Sequence, residues 1–300
     1  MIFFSLLFAL LLEHLRPIGG QNRLILAFLS YADSLERYFN TGIRRHDIAA
    51  WFAAVAPVIV FTLWIYYLLY SFHPLLGWVW NVVMLYLTIS PRQLTYSFSE
   101  IEAALKSGDL PLARQLLWEF YGIPADDLSS PEIARIAIEL GLINSHRYVF
   151  AIIICFALLP GPLGPVLYRL AELLNERWGS RPDAFGKFAL KAFEVIDWLP
   201  ARATALGFAI AGNFEDAVYC WRAQAASWMD RNQGIILASG AGALGVCLGE
   251  EAGGSHYRPE LGVGDEADVD FLQSAIGLFW RTLVLWLVLL LLLEIAGWAG

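Results

Sequence analysis

From Ile276 to Trp298 the chain carries only two charges, Arg281 and Glu294, and between them Thr282–Leu293 is almost unbroken leucine and valine. About 20 such residues carry a helix across a ~30 Å hydrocarbon core, where every backbone N–H and C=O must be satisfied inside the segment itself. The two charges stand near the ends of the run, where they can snorkel to the interfaces. This stretch reads as a membrane-spanning helix, and it sets the solvent in which the rest of the chain has to fold.

The composition agrees. Hydrophobic residues make up 58% and charged residues 16%, against about 45–50% and about 25% in an average globular protein. A purely water-soluble enzyme is excluded, and 14% aromatics exclude a disordered chain. A net charge of −8 supplies no basic face, so nucleic acid is not expected as a partner. Cys155, Cys220 and Cys247 are odd in number and far apart, which gives neither a disulfide framework nor a C-x-x-C metal site. Cys155 and Cys247 lie in apolar context and read as small hydrophobes.

Four further apolar stretches follow the same logic. Residues 49–72 form a span with Trp51, Tyr66, Tyr67 and Tyr70 as aromatic belts. Pro74 then breaks the helix and residues 75–90 return, so the connection Phe72-His73-Pro74 forces an antiparallel hairpin. Residues 1–12 lack a basic n-region and a small-residue cleavage site, and read as a retained short membrane helix. Residues 148–174 hold two apolar pieces around Pro160-Gly161-Pro162-Leu163-Gly164-Pro165, which predicts a broken, re-entrant helix pair. The hairpin connector has no Lys or Arg, whereas both flanks are arginine-rich, so the positive-inside rule puts the flanks, and the helical region 92–147, in the cytoplasm. The expected fold class is all-α: a polytopic α-helical membrane protein, residues 1–300 forming one domain, with the lipid bilayer as first partner and a homo-oligomer compatible with it.

In the cytoplasmic region Arg92–Lys106 and Leu110–Phe120 read as helices separated by Ser107-Gly108, with Leu112, Leu116, Leu117 and Phe120 facing the first helix. Ser130-Pro131-Glu132 is a helix start, with Ser130 as N-cap, and that helix can run on into the apolar Tyr148–Leu159. Glu139 can pair with Arg135 one turn earlier, and His146 and Arg147 read as interface anchors. No strand pattern, nucleotide-binding glycine loop or His/Cys metal spacing is evident, and no metal ligand is assigned. Ala238–Gly245 is rich in small residues, as close helix packing requires.

Several segments, in this order and spacing, resemble one family. They are Gly161-Pro162-Leu163-Gly164-Pro165 with Tyr168-Arg169, Trp178-Gly179, Phe185-Gly186, Asp197-Trp198-Leu199-Pro200-Ala201-Arg202, the glycine-rich Ala238–Gly249, and Arg258-Pro259 with Gly264-Asp265. Together they look like the CobD/CbiB family of integral membrane cobalamin-biosynthesis proteins. Leu11-Leu12-Glu13-His14-Leu15-Arg16 and Val195–Pro200 are also similar to the related AmpE inner-membrane proteins. The resemblance implies a multi-pass protein of the bacterial inner membrane. It implies an ATP- and Mg²⁺-dependent amide ligation of aminopropanol, or aminopropanol phosphate, to adenosylcobyric acid, so that a corrinoid is the large substrate. It implies substrate-binding roles for Arg92, Arg114, Arg135, Asn144, Tyr168, Arg169, Arg202, Arg258 and Asp265, and catalytic roles for Glu139, Glu194 and Asp197. Guanidinium groups suit bidentate contacts with phosphate and carboxylate.

The chain departs from the family pattern at several places. Where the synthases carry a run like E-N-x-V-D-G, this chain has Ile143-Asn144-Ser145-His146-Arg147-Tyr148; their paired aspartates before L-P-A-R become Phe193-Glu194. Arginine in place of a carboxylate removes a Mg²⁺ ligand outright. Three readings follow: a ligase with a rebuilt, partly degenerate site; an AmpE-like non-catalytic membrane sensor in a cell-wall or β-lactam response; and a corrinoid-binding or transporter-like relative using the broken helices.

Overall fold

The computed structural model describes residues 2–16, 23–39, 44–179, 181, 184–249 and 259–299, of which 44–45, 92–94, 184 and 298–299 are described by backbone only. Helices dominate: α1 (Ile2–Leu15), α2 (Arg23–Phe39), α3 (Arg44–Phe72), α4 (Pro74–Thr88), α5 (Pro91–Lys106), α6 (Leu110–Tyr121), α7 (Ser130–Ser145), α8 (Ala151–Leu158), α9 (Leu163–Trp178), α10 (Ala184–Ala211), α11 (Phe214–Gln224), α12 (Arg231–Leu244) and α13 (Val269–Ala299). Among the described residues three stretches, His46–Phe72, Ser130–Leu158 and Val269–Gly297, are long and apolar enough to cross a membrane, and Ile2–Leu15 and Pro74–Thr88 are shorter apolar helices. The chain is an all-α membrane protein. It divides into two compact units: Met1–Ser90 with Ala151–Pro200 and Glu294–Gly300, and Pro91–Phe150 with Ala201–Leu293.

In the first unit the hairpin forms as its sequence requires. His73 caps α4, its Nδ1 accepting the Leu75 N–H at 3.2 Å, with Pro74 at the first helical position. Across the hairpin the Trp80 indole N–H donates to the Thr62 carbonyl at 3.2 Å. α1 packs on α4 through Phe8 and Trp78, edge to face at 5.3 Å, and its Phe3 N–H donates to Glu294 Oε2 at 3.0 Å. Glu294 is thus engaged by α1. The amphipathic α2 is tied to the end of α9 and beyond it by ion pairs, Asp33 with Arg177 at 2.7 and 2.8 Å and Glu36 with Arg181.

The break at Pro160–Pro165 is present, between α8 and α9. Gly161 takes φ +58 and packs against the Tyr66 ring. Tyr66 lies about 9 Å, at 1.5 Å per residue, from the end of α3 at Phe72, so the break sits toward one end of α3 and away from its centre. The apolar run Tyr148–Leu159 is not a short piece: it is the second half of the 29-residue Ser130–Leu158, carried on from α7 by one π-helical turn at His146–Phe150. A side-chain carbon on Gly164 would lie 2.0 Å from the Cys155 carbonyl oxygen. Gly164→Val therefore has to push two backbones apart. The expected outcome is a loss of about 3 kcal/mol, the upper part of the overpacking range, read as a collapse of the monodisperse protein peak in detergent, while Gly277→Ala on the open side of α13 leaves it intact.

In the second unit α5 and α6 pack as a hairpin. Asp109 caps α6, accepting the Leu112 N–H at 3.1 Å, and Gly122 ends it in the left-handed region. Leu117 is fully buried and Phe120 meets Tyr96 at 6.1 Å, but Leu112 is 41% exposed and points away from α5. It stands at the first turn of α6, beside the cap rather than over the partner helix. The N-cap of α7 is Ser129, one residue earlier than Ser130. The Ser129 backbone N–H and hydroxyl both donate to Glu132 Oε2, at 2.7 and 2.6 Å, the Glu132 half of the capping box that S/T-x-x-E favours.

Small residues on α12 allow close approach. An added carbon at Gly242 would sit 2.5 Å from the Asp216 carbonyl of α11, and one at Gly240 would sit 2.7 Å from Leu142 of α7. Ser239 Oγ donates to the Ala205 carbonyl at 2.8 Å. Two short strands, β1 (Val246–Cys247) and β2 (Asp265–Glu266), pair in parallel, and Leu248 bridges Leu261. They correct the expectation that strands are absent; two residues each are too short to leave an alternating pattern.

Candidate functional site

Arg135, Glu139, Leu142 and His146 recur at intervals of four, three and four residues, which places them on one face of α7 and its continuation. Arg135 is half-buried, whereas Glu139 is 4% exposed. Burying a carboxylate is costly unless hydrogen bonds replace its water. Glu139 Oε1 accepts the backbone N–H of Gly249 at 2.9 Å, a bond that joins positions 110 residues apart. Glu139 thus has a partner on the glycine-rich segment.

That segment is shaped by its glycines. Gly249 has φ +86 and a side-chain carbon there would fall 2.2 Å from the Pro259 carbonyl, so no other residue fits without moving the backbone. The Glu139 carboxylate holds Gly249 against α7. Beside it opens a cavity of about 590 Å³ lined by Glu132, Arg135, Cys247, Gly249, Glu260 and Glu266, among others. It offers one guanidinium, three carboxylates and backbone groups: an anion can meet Arg135 and an ammonium can meet Glu260 or Glu266.

Deeper along the same face, His146 is 3% exposed and its Nδ1 lies 2.9 Å from the Thr204 hydroxyl of α10. It is a buried, hydrogen-bonded histidine, not an interface anchor. Arg202, two residues before Thr204, donates from Nη1 to Asn232 Oδ1 at 3.3 Å. Asn144 is half-buried in the same stretch of α7. Asp265 is exposed, and its backbone N–H donates to the Gly245 carbonyl at 3.2 Å. Arg114 is occupied otherwise: its Nε and Nη2 both donate to the Leu128 carbonyl, at 3.0 and 2.7 Å, which pins the segment leading into α7 beside a separate recess lined by Trp118 and Asp126.

The remaining candidates lie in the first unit. The Tyr168 hydroxyl donates to Asp197 Oδ1 at 2.9 Å, both groups buried, and Arg169 Nη1 donates to Glu172 Oε2 at 2.5 Å with the Glu172 side chain fully buried. Glu194 is exposed and pairs with Lys191 at 2.8 Å. The Arg92 side chain and Arg258 fall outside the described residues. Thr204 and Asn232 carry no sequence signal of their own, and Cys247, read from sequence as a small hydrophobe, is half-buried at the cavity wall. The spacing of Arg135, Glu139 and His146 carried the signal for one polar face, but their partners come from distant segments. Among the described residues no group of three His, Cys, Asp or Glu side chains is placed to share a metal ion.

Cys247 is half-buried at the cavity wall, while Cys155 and Cys220 are buried. Burial and then the neighbouring Glu260 carboxylate push the Cys247 thiol above its ordinary range; burial above all, then Asp216, pushes Cys220 up to about 11. A raised pKa means less thiolate at a given pH, and thiolate is the reactive form. Alkylation of Cys247 by a maleimide-type reagent is expected to be slow at pH 7 and to keep rising above pH ~8.5, the unperturbed thiol value. A rate that levels off below pH 8 contradicts that environment.

Comparison with known proteins gives the setting of this site. The family described as CobD/CbiB protein matches residues 6–279. Cobalamin biosynthesis protein CobD of Stutzerimonas stutzeri (strain A1501) is 36% identical over 307 residues, covering 99% of this chain and 98% of that protein. The CobD protein of Chromobacterium violaceum is 37% identical over 225 residues, covering 72% and 71%. Cobalamin biosynthesis protein CbiB of Salmonella typhimurium (strain LT2) is 28% identical over 235 residues, covering 73% and 72%. No solved structure matches the chain. The family model takes in α7, the glycine-rich segment and the start of α13, and a relative matches almost end to end: the chain belongs to the CobD/CbiB protein family.

Proposed function

We propose that this protein serves cobalamin biosynthesis in the bacterial inner membrane, its hydrophilic regions facing the cytoplasm, and joins the amine of aminopropanol or its phosphate to the carboxylate of adenosylcobyric acid. The observation that carries the reading is the buried Glu139–Gly249 hydrogen bond, which closes a polar cavity beside Arg135, in a chain aligned over 98% of a CobD relative. Arg135 is suited to grip a carboxylate or phosphate through its planar fork. Glu260 and Glu266 are suited to receive the ammonium and to take its proton as the amide forms. ATP enters as the co-substrate that activates the carboxylate, together with Mg²⁺. The described carboxylates do not converge as a metal site, so no residue is assigned to the ion.

A second reading, corrinoid binding without ligation, is favoured by Arg147 at the position where the resembled synthases carry aspartate. Both readings place the corrinoid at the cavity, and Cys247 reports on it. With purified protein, cobyric acid is expected to slow alkylation of Cys247 at pH 9 several-fold, and Arg135→Ala is expected to remove that protection. Alkylation unaffected by cobyric acid would overturn the placement of the site.

A further inference from the structure

Glu260 and Glu266 line the cavity from a single segment, and glycines shape the course of that segment. Leu261 is pinned to Leu248, just after β1, by two backbone hydrogen bonds of 2.7 Å. The chain then turns through Gly262 and Gly264 at φ +99 and +115. A side-chain carbon there would fall 2.1 Å from the Val246 carbonyl oxygen and 2.2 Å from that of Gly245. The Asp265 N–H closes the turn by donating to the Gly245 carbonyl at 3.2 Å. Glycine permits such a path without enforcing it, since it has more conformations to lose than any other residue.

One side chain from outside the segment holds the turn. Gly262 is buried, so its N–H and C=O both need partners. Gln224, the last residue of α11, meets both: the Gly262 N–H donates to Gln224 Oε1 at 2.7 Å, and Gln224 Nε2 donates to the Gly262 carbonyl at 3.0 Å. The side-chain amide offers one donor and one acceptor side by side, and so stands where a neighbouring strand would. Its base is fixed too. The Gln224 carbonyl accepts the Ser227 hydroxyl at 2.6 Å, and a carbon added at Gly234 of α12 would lie 2.4 Å from the carbonyl oxygen of the next residue, Ala225. We infer that Gln224 is a positioning residue of the cavity: its amide holds the glycine turn between Glu260 and Glu266 and thereby sets where those two carboxylates stand. The inference rests on the reading of the cavity as the place where the amine binds.

Cys247 reports on this wall without any substrate. Its Sγ lies 3.5 Å from the Gly264 carbonyl oxygen, and Glu260, Asp265 and Glu266 are the charged groups that bear on it. Gln224→Met keeps the length of the side chain and removes both hydrogen bonds. In that variant alkylation of Cys247 at pH 8 is expected to speed up several-fold, its pH profile moving down toward the unperturbed thiol value of ~8.5. Cys220, buried one turn earlier on α11, is expected to stay unreactive, the two thiols being followed separately by peptide mass. In a synthesis assay the KM for aminopropanol phosphate is expected to rise by up to about 100-fold, the cost of a ~1 Å misplacement, with the KM for cobyric acid little changed. Gln224→Asn, the same amide on a shorter stem, is expected to fall between, and it carries the same comparison if Gln224→Met gives no monodisperse protein. An unchanged Cys247 profile overturns the inference. So does a Cys220 that reacts along with Cys247, or an equal rise in both KM values, since either shows that Gln224 holds α11 and not the cavity wall. Failure of cobyric acid to protect Cys247 in the wild type would instead overturn the placement of the site, while the alkylation profile still decides what Gln224 holds.

Discussion

Replacing Arg169 with alanine is expected to cost about 3–5 kcal/mol of stability, the range for withdrawing one partner from a buried ion pair. Glu172 is fully buried and takes Arg169 Nη1 at 2.5 Å on the same face of α9, one turn away. The cost is not the strength of the pair but the desolvation of the carboxylate that stays behind. Two controls separate this from loss of packing. Arg169→Lys keeps a charge and is expected to lose less, and Arg169→Ala combined with Glu172→Gln is expected to recover much of the loss because the buried charge is gone. The measurement is the denaturant midpoint of the purified protein in detergent. A double variant as unstable as Arg169→Ala alone would show that α9 is held by shape rather than by the compensated charge.

Glu139→Ala is the second large effect, and it acts on function as well as stability. The substitution leaves the Gly249 N–H buried without its Glu139 acceptor, which costs about 1–3 kcal/mol, and it releases a position whose φ of +86 favours glycine. Glu139→Gln retains an oxygen acceptor of the same reach. If Glu139 is mainly a strut for the glycine-rich segment, Gln is expected to keep both stability and Cys247 protection. If its charge takes part in the reaction, Gln is expected to keep both and still fail to support synthesis. Full activity in Glu139→Ala would contradict either role.

The parts of this fold that could be read from sequence are those set by local physics. The apolar runs of α3 and α13, the turn at His73-Pro74, the stop at Ser107-Gly108 and the small-residue face of α12 each follow from a few neighbouring residues. The cap of α7 was displaced by one position because Ser129 and Ser130 are chemically equivalent, and only the second, at the first helical turn, precedes proline directly. The site was legible as residue types and not as an arrangement. Glu139 and Arg135 were identifiable as candidates, but the bond from Glu139 to Gly249 spans 110 positions. Motif order likewise does not give the partners these candidates take: Arg114 holds the Leu128 carbonyl, Glu194 pairs with Lys191 at the surface, and Tyr168 donates to Asp197.

The most direct test of the central claim is growth on cobyric acid of a bacterial strain lacking its adenosylcobinamide-phosphate synthase and carrying this gene. Rescue is expected, and it is expected to disappear with Arg135→Ala and Glu139→Ala while both variants are still found in the membrane. No growth from a wild-type protein shown to be present in the membrane would contradict the ligase reading, and Cys247 protection by cobyric acid in that same protein would then leave corrinoid binding without ligation as its role.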